Sequence, residues 1–164
     1  MRFFIGLVNS LLLLILVNSF AIASEALVEI PQAMNLNKQG LVAQQRKTPV
    51  VLVVISNSCP YCQKLEEEVL RPLLISGDYD DRIQLQVLNQ DQHDYRVDFD
   101  GVKRSPEAIA DRYDIQLVPS VLLLGSEGEE LAERLIGIGV IDFYWAYLDL
   151  AIEQASAKLR SPES

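Results

Sequence analysis

The chain has 164 residues and a formal net charge of −9. This length suits one domain with an ordinary hydrophobic core and leaves no room for a second catalytic domain. Because 23 acidic side chains stand against 14 basic ones, the composition argues against nucleic acid and anionic membrane surfaces as partners.

The N-terminus has the pattern of a secretory signal peptide. Arg2 precedes a long apolar run that ends in Ala21-Ile22-Ala23, an A-x-A cleavage pattern. We therefore predict a signal peptide over residues 1–23, export to the periplasm, and one domain over residues 24–164. The alternative is an uncleaved N-terminal membrane anchor, because residues 3–23 form an apolar stretch nearly long enough to span a bilayer.

Apolar periodicity and turn residues divide the rest of the chain into alternating helices and strands. The first half of the chain is predicted to form a helix within residues 31–46 that Gly40 interrupts, a buried strand over 50–55, and a helix that runs from the cysteine pair to Arg71, where Pro72 kinks or ends it. A strand over 83–87 and a helix that starts at Ser105 follow. The last predicted elements are a strand over 121–124, a strand over 131–136 and a final helix over 140–159. This order predicts an α/β fold.

Residues 89–104 are polar and charged, and we predict that they form a small insertion at the rim of the core. They contain Asp98-Phe99-Asp100-Gly101, a turn sequence suited to closing a short hairpin. The insertion precedes the apolar strand over 121–124.

The final helix is predicted to pack through a mostly apolar face. The members of this face are Phe143, Tyr147, Leu150 and Ile152. We interpret the neighbouring Tyr144 and Trp145, together with Phe143, as core residues rather than a ligand site.

Both cysteines lie in Cys59-Pro60-Tyr61-Cys62, directly after the buried strand and at the start of a helix. The free N–H groups and partial positive charge of a helix N-terminus stabilise a thiolate on Cys59. Three residues apart on one helical face, the two cysteines are close enough to form a disulfide. We predict redox catalysis in which Cys59 attacks and Cys62 resolves; a structural disulfide and half of a metal site are the alternatives.

No cofactor and no metal site are expected. His93 is the only histidine, and its polar loop favours a solvent-facing role. Two cysteines and one histidine supply three ligands, whereas a structural zinc site usually takes four. The only methionines, Met1 and Met34, form no cluster that would support copper handling.

The order of these elements resembles the thioredoxin superfamily over residues 31–159. Three motifs carry the resemblance: Cys59-Pro60-Tyr61-Cys62, the stretch Leu117-Val118-Pro119-Ser120 ahead of an apolar strand, and the glycine loop at 137–139 before the final helix. The tetrapeptide is typical of glutaredoxins, but the leader and the inserted segment resemble exported bacterial thioredoxin-like proteins, which we favour. The implied fold is a thioredoxin fold: a central mixed sheet of about four to five strands flanked by helices, with the small insertion before the cis-proline strand.

The resemblance also implies roles for particular residues. Pro119 is implied to be a cis-proline beside the disulfide, with the backbone of Val118 pairing to an extended substrate. Pro60 and Tyr61 are the other expected substrate-binding residues, and Lys64 matches a lysine that can lower a thiol pKa.

The sequence departs from thioredoxin itself at two positions. Val53 and Ser58 stand where thioredoxin has a buried Asp and a Trp. Without that carboxylate, the proton of Cys62 must leave to water or to a group that the sequence does not identify.

The prediction is an exported thiol-disulfide oxidoreductase, a monomer that acts on protein thiol and disulfide substrates. A redox partner protein, with a membrane-bound donor as one candidate, must restore the active state, and the direction of electron flow is left open. The alternatives are a non-enzymatic metal-binding or interaction module of the same fold and a disulfide isomerase.

Overall fold

The computed structural model describes residues 28–161 of the chain. The predicted signal peptide lies outside the described residues. Among the described residues, none of the helices combines the length and the apolar character that crossing a membrane requires.

Helices and strands alternate along this range. The elements are α1 (Leu36–Arg46), β1 (Val50–Ile55), α2 (Pro60–Leu65), a π-helical turn (Glu66–Leu70), α3 (Arg71–Ser76), β2 (Gln84–Asn89), β3 (Arg96–Val97), β4 (Lys103–Arg104), α4 (Pro106–Arg112), β5 (Ser120–Leu124), β6 (Leu135–Ile136) and α5 (Ile141–Arg160).

β1 is a central strand that is buried on both faces. The strand order is β2-β1-β5-β6, in which β1 runs parallel to β2 and antiparallel to β5. Val51 and Val53 face one core cluster, with residues of α2, α3 and α5. Val50, Leu52 and Val54 face a second cluster, with residues of α1 and α4. This arrangement confirms the predicted mixed sheet flanked by helices.

The helix that carries the cysteines continues past Pro72, as far as Ser76. A π-helical turn precedes the proline, and the N–H of Arg71 donates to the carbonyl of Glu66, five residues earlier. Such wide turns absorb irregularities inside α-helices. The chain therefore stays helical although Pro72 has no N–H to donate.

The prediction that Gly40 interrupts the first helix is wrong. Gly40 is buried inside α1, where a Cβ atom would lie 2.2 Å from the carbonyl oxygen of Ser126. The helix passes so close to the turn after β5 that only glycine fits. The residue serves a tertiary contact, which a local reading of helix propensity cannot detect.

The hairpin predicted in the insertion is present as β3 and β4, but the first two residues of its turn, Asp98 and Phe99, are buried. Asp98 is fully buried, where it accepts the N–H of Phe99 at 2.7 Å and a guanidinium N–H of Arg104 at 2.9 Å. Arg112 of α4 also pairs with Asp98. Because a buried carboxylate requires such partners, these bonds hold the insertion against the α4 side of the sheet.

The last helix packs through a different face from the one predicted. Phe143, Tyr147 and Leu150 are each more than half exposed, whereas Ile152 is buried. The buried side of α5 consists of Tyr144, Leu148, Ala151, Ile152 and Ala155. The helix carries two neighbouring apolar stripes, and packing on the sheet decides which of them is covered.

The strand predicted over residues 131–136 is shorter in the structure. Only Leu135–Ile136 form β6, and an isolated bridge joins Leu124 to Glu130. The N–H of Leu131 still donates to the carbonyl of Leu123 at 2.8 Å. The segment therefore follows β5 without forming a continuous strand.

Replacing Gly40 with alanine should lower the free energy of unfolding by about 1–3 kcal/mol, the usual cost of overpacking. Urea unfolding followed by circular dichroism measures this loss. Gln44→Ala, at an exposed position of the same helix, is the control and should change stability by no more than about 0.5 kcal/mol. A Gly40→Ala protein as stable as the wild type would contradict the close approach to Ser126.

Candidate active site

The register of the sheet brings the two most specific sequence motifs together. Because β5 is antiparallel to β1, with Ser120 opposite Val54, the start of β5 lies at the end of β1. Cys59 follows β1, and Pro119 immediately precedes β5. The Cys59 sulfur consequently lies 3.6 Å from the carbonyl oxygen of Val118.

Cys59 and Cys62 are joined by a disulfide, with their Cα atoms 5.2 Å apart. Cys59 is the N-cap of α2, and its sulfur accepts the N–H of Cys62 at 3.1 Å. After reduction the same N–H would stabilise a thiolate on Cys59, because a hydrogen bond to the charged form of an acid lowers its pKa.

The two cysteines differ in their access to solvent. Cys59 is 8% exposed and Cys62 is 3% exposed. Pro60 and Tyr61 lie at the surface beside Cys59. An incoming thiol or disulfide therefore reaches Cys59 more readily than Cys62.

The loop before β5 is held in place on both sides of its proline. The Val118–Pro119 peptide bond is cis. The hydroxyl of Ser120 donates to the carbonyl of Leu117 at 2.7 Å, and the N–H of Gly137 donates to the carbonyl of Pro119 at 2.8 Å. These bonds leave the carbonyl of Val118 facing the disulfide.

A carboxylate that the sequence analysis missed anchors the loop before Cys59. Asp91 accepts the hydroxyl of Ser56 at 2.7 Å and the N–H of Asn57 at 2.8 Å through one oxygen. Asn89 adds a bond from its side-chain amide to that of Asn57, at 2.7 Å. We call Asn89 and Asp91 the loop anchor.

The parallel pairing of β1 and β2 explains this anchor. Ile55 lies opposite Asn89, so the residues that follow each strand emerge at the same edge of the sheet. The sequence shows polar residues at the ends of both β1 and β2. It does not show that these two strands are parallel neighbours, which is what brings the polar residues together.

The charge of Asp91 is stabilised by the loop that it holds. The N–H of Asn57, followed by the hydroxyl of Ser56, holds the pKa of the Asp91 carboxyl below its usual range. The Asp91 carboxylate therefore stays ionised throughout the neutral range.

The structure places the other candidate residues less centrally. The ammonium of Lys64 lies 3.9 Å from the carboxylate of Glu68, so part of its charge is already balanced. Val53 is fully buried, Ser58 is exposed, and His93 is exposed in its loop.

Within residues 28–161, no three His, Cys, Asp or Glu side chains come together as metal ligands.

The sequence matches the family model for a thioredoxin-like domain over residues 36–151, which is more than half of the chain. The protein therefore belongs to the thioredoxin-like family, and its Cys59–Cys62 pair is a disulfide-forming CxxC. No curated protein matches the chain in sequence.

Solved structures agree on the fold. The DsbH oxidoreductase is 15% identical with a TM-score of 0.56, over 77% of this chain and 88% of that one. Thioredoxin f of spinach chloroplast is 19% identical with a TM-score of 0.51, over 80% and 97% of the two chains. Oxidised mitochondrial thioredoxin 3 of Saccharomyces cerevisiae is 20% identical with a TM-score of 0.49, over 73% and 94%. At these identities the first two structures support the fold alone.

Asp91→Ala should slow disulfide exchange by roughly tenfold, within the hundredfold that a small misplacement of reacting groups can cost. The expected cause is a mobile loop before Cys59, and stopped-flow kinetics with a protein disulfide measures the rate. Asp91→Asn keeps an oxygen acceptor for both bonds and should recover most of the rate. Asp94→Ala, which removes a side chain that is 82% exposed three residues later, should react like the wild type.

The stability that the Asp91 carboxylate provides should depend on pH. Its folded pKa is depressed, so the contribution is present above the ordinary aspartate pKa of about 3.9 and is lost as the pH falls through the lower folded value. The difference in urea midpoint between the wild type and Asp91→Asn should be constant above pH 5 and shrink below about pH 4. A difference that stays constant down to pH 2 would contradict this assignment.

Proposed function

We propose that this protein is an exported thiol-disulfide oxidoreductase that exchanges disulfides with protein substrates through Cys59 and Cys62. The observation that carries the proposal is the disulfide at a helix N-terminus, with its more exposed sulfur 3.6 Å from the Val118 carbonyl. A purely structural disulfide does not require a backbone carbonyl beside it. An extended substrate does, because its chain needs backbone groups with which to pair.

The reaction in the reducing direction begins with the Cys59 thiolate. It attacks one sulfur of a substrate disulfide, so that a mixed disulfide forms and the other substrate sulfur leaves as a thiolate. The Cys62 thiolate then attacks the Cys59 sulfur and releases the second substrate thiolate. The substrate gains two electrons, the protein is left with its Cys59–Cys62 disulfide, and water or buffer supplies the protons.

Oxidation of a substrate follows the same steps in reverse. A substrate thiolate attacks the protein disulfide at Cys59, and the two electrons end on the cysteine pair. The reduction potential of the pair relative to that of its partner decides the direction. A redox partner protein, for which a membrane-bound donor is one candidate, restores the starting state.

The surrounding residues have positioning roles in this scheme. The backbone of Val118, ahead of the cis Pro119, pairs with the extended chain of the substrate, and Pro60 and Tyr61 form the surface beside Cys59. Val53 offers no carboxylate, so the Cys62 proton leaves to water or to another group. Lys64, although paired with Glu68, adds positive charge to the same helix.

Cys59→Ser should abolish reduction of insulin disulfides, because the attacking sulfur is lost. Cys62→Ser should instead accumulate a mixed disulfide between Cys59 and the substrate, since the resolving sulfur is lost. Insulin turbidity measures the first outcome, and non-reducing electrophoresis with intact mass measures the second. Normal turnover by Cys59→Ser would refute the scheme.

The export proposal has its own test. In a bacterial host that expresses the full chain, we expect a periplasmic product whose mass corresponds to a chain starting at Ser24. A full-length product retained in the membrane fraction would support the uncleaved anchor instead. Light scattering of the mature protein should give the mass of a monomer.

A further inference from the structure

A groove of about 330 Å³ separates the β6 end of the sheet from the last helix. One wall is the chain from Leu135 to Gly139, and the other is formed by Tyr147 and Leu150 of α5. Both of these α5 side chains are more than half exposed, although they belong to an apolar stripe. The groove thus leaves apolar surface uncovered on a water-facing side of the molecule.

The first wall of the groove includes a strand edge. Within the described part of the chain, β6 pairs with β5 alone. The N–H of Gly137 points to Pro119 of the β5 side, and hydrogen bonds alternate along an antiparallel pair. The N–H and carbonyl of Ile136 therefore point away from β5, where an added strand would meet them.

Tyr144 also lines the groove. Tyr144 is 3% exposed, and its hydroxyl has no hydrogen-bond partner among residues 28–161. Burial raises the pKa of this phenol, so the hydroxyl remains protonated. Because the hydroxyl itself is closed to solvent, an incoming chain meets the Tyr144 side chain without gaining a hydrogen bond from it.

The Gly137 end of the groove lies beside the proposed redox site. Gly137, which begins the turn after β6, is bonded at 2.8 Å to the carbonyl of Pro119. Ser120, the residue after the cis-proline, lies opposite Ile136. A polypeptide that contacts Val118 is therefore separated from the free edge of β6 only by the β6 chain itself.

We propose that this groove binds an extended, apolar segment of the client polypeptide, which pairs with the free edge of β6 while its side chains pack against Tyr147 and Leu150. The inference rests on the proposed function and adds a second contact that holds the client beside the disulfide. A free edge and an apolar wall together fit a strand with apolar side chains on one face. A second copy of this chain is disfavoured, because two molecules of charge −9 repel each other.

A cysteine-free peptide tests the groove without depending on redox activity. The probe is a fluorescein-labelled decapeptide of alternating valine and threonine with lysine at both ends, and binding is followed by fluorescence anisotropy. Replacing the valines with serine should weaken binding at least about tenfold. Backbone N-methylation at alternate residues should abolish binding for one of the two methylation patterns and spare the other, because only one peptide edge faces β6.

Variants locate the binding surface. The double substitution Tyr147→Ser with Leu150→Ser should weaken peptide binding about tenfold. The matched control, Tyr95→Ser with Ile75→Ser, alters a tyrosine and an isoleucine that are 70% and 69% exposed elsewhere, and it should bind normally.

Disulfide exchange separates the groove from the redox chemistry. The groove variant, which combines Tyr147→Ser with Leu150→Ser, should show a higher KM and an unchanged kcat for a disulfide-linked form of the valine peptide. Its rate with oxidised glutathione should be unchanged, because that molecule is too small to span both sites. Failure of the wild type to exchange any disulfide would refute the proposed function, whereas exchange without peptide binding would refute the groove alone. Concentration-dependent dimers that the groove variant abolishes would also overturn the proposal, because they would assign the groove to a second copy.

Discussion

The pairing of β1 with both of its neighbours is the constraint on which the site depends. β1 is buried on both faces, so its register with β2 and β5 cannot slip without exposing core side chains. The parallel partner delivers Asn89 and Asp91 to the end of β1, and the antiparallel partner delivers Pro119 to the same edge. The candidate site is therefore assembled from three segments that are far apart in sequence.

Rigidity around the cysteines comes from backbone hydrogen bonds and the loop anchor rather than from a buried charge. Val53, on the strand before the cysteines, is apolar and fully buried, and Asp91 holds the preceding loop from the surface. The core accordingly stays apolar beside the disulfide. A fully buried charge lies instead in the insertion, at Asp98, where two arginines balance it and hold the insertion in place.

The last helix shows how one sequence pattern can serve two purposes. Tyr144 and Leu148 pack into the core, while Tyr147 and Leu150, on the neighbouring stripe, line a groove beside β6. Both stripes have helical spacing, so periodicity predicts an amphipathic helix without identifying its buried face. The uncovered stripe places an apolar surface next to the proposed redox site, where the proposed clients would lie.

Much of the fold and the core of the site could be predicted from the sequence, because strong apolar runs, proline and glycine act locally. Local signals of this kind predicted the buried strand β1, the Cys59–Cys62 pair at a helix start and the hairpin around Asp98. The cis form of Pro119 was expected only through the family resemblance. Tertiary structure alone decided that Gly40 must be small, that Asp91 holds the loop, and which stripe of α5 is covered. The reason is physical: each depends on a neighbour distant in sequence, and only the packed sheet determines which neighbours meet.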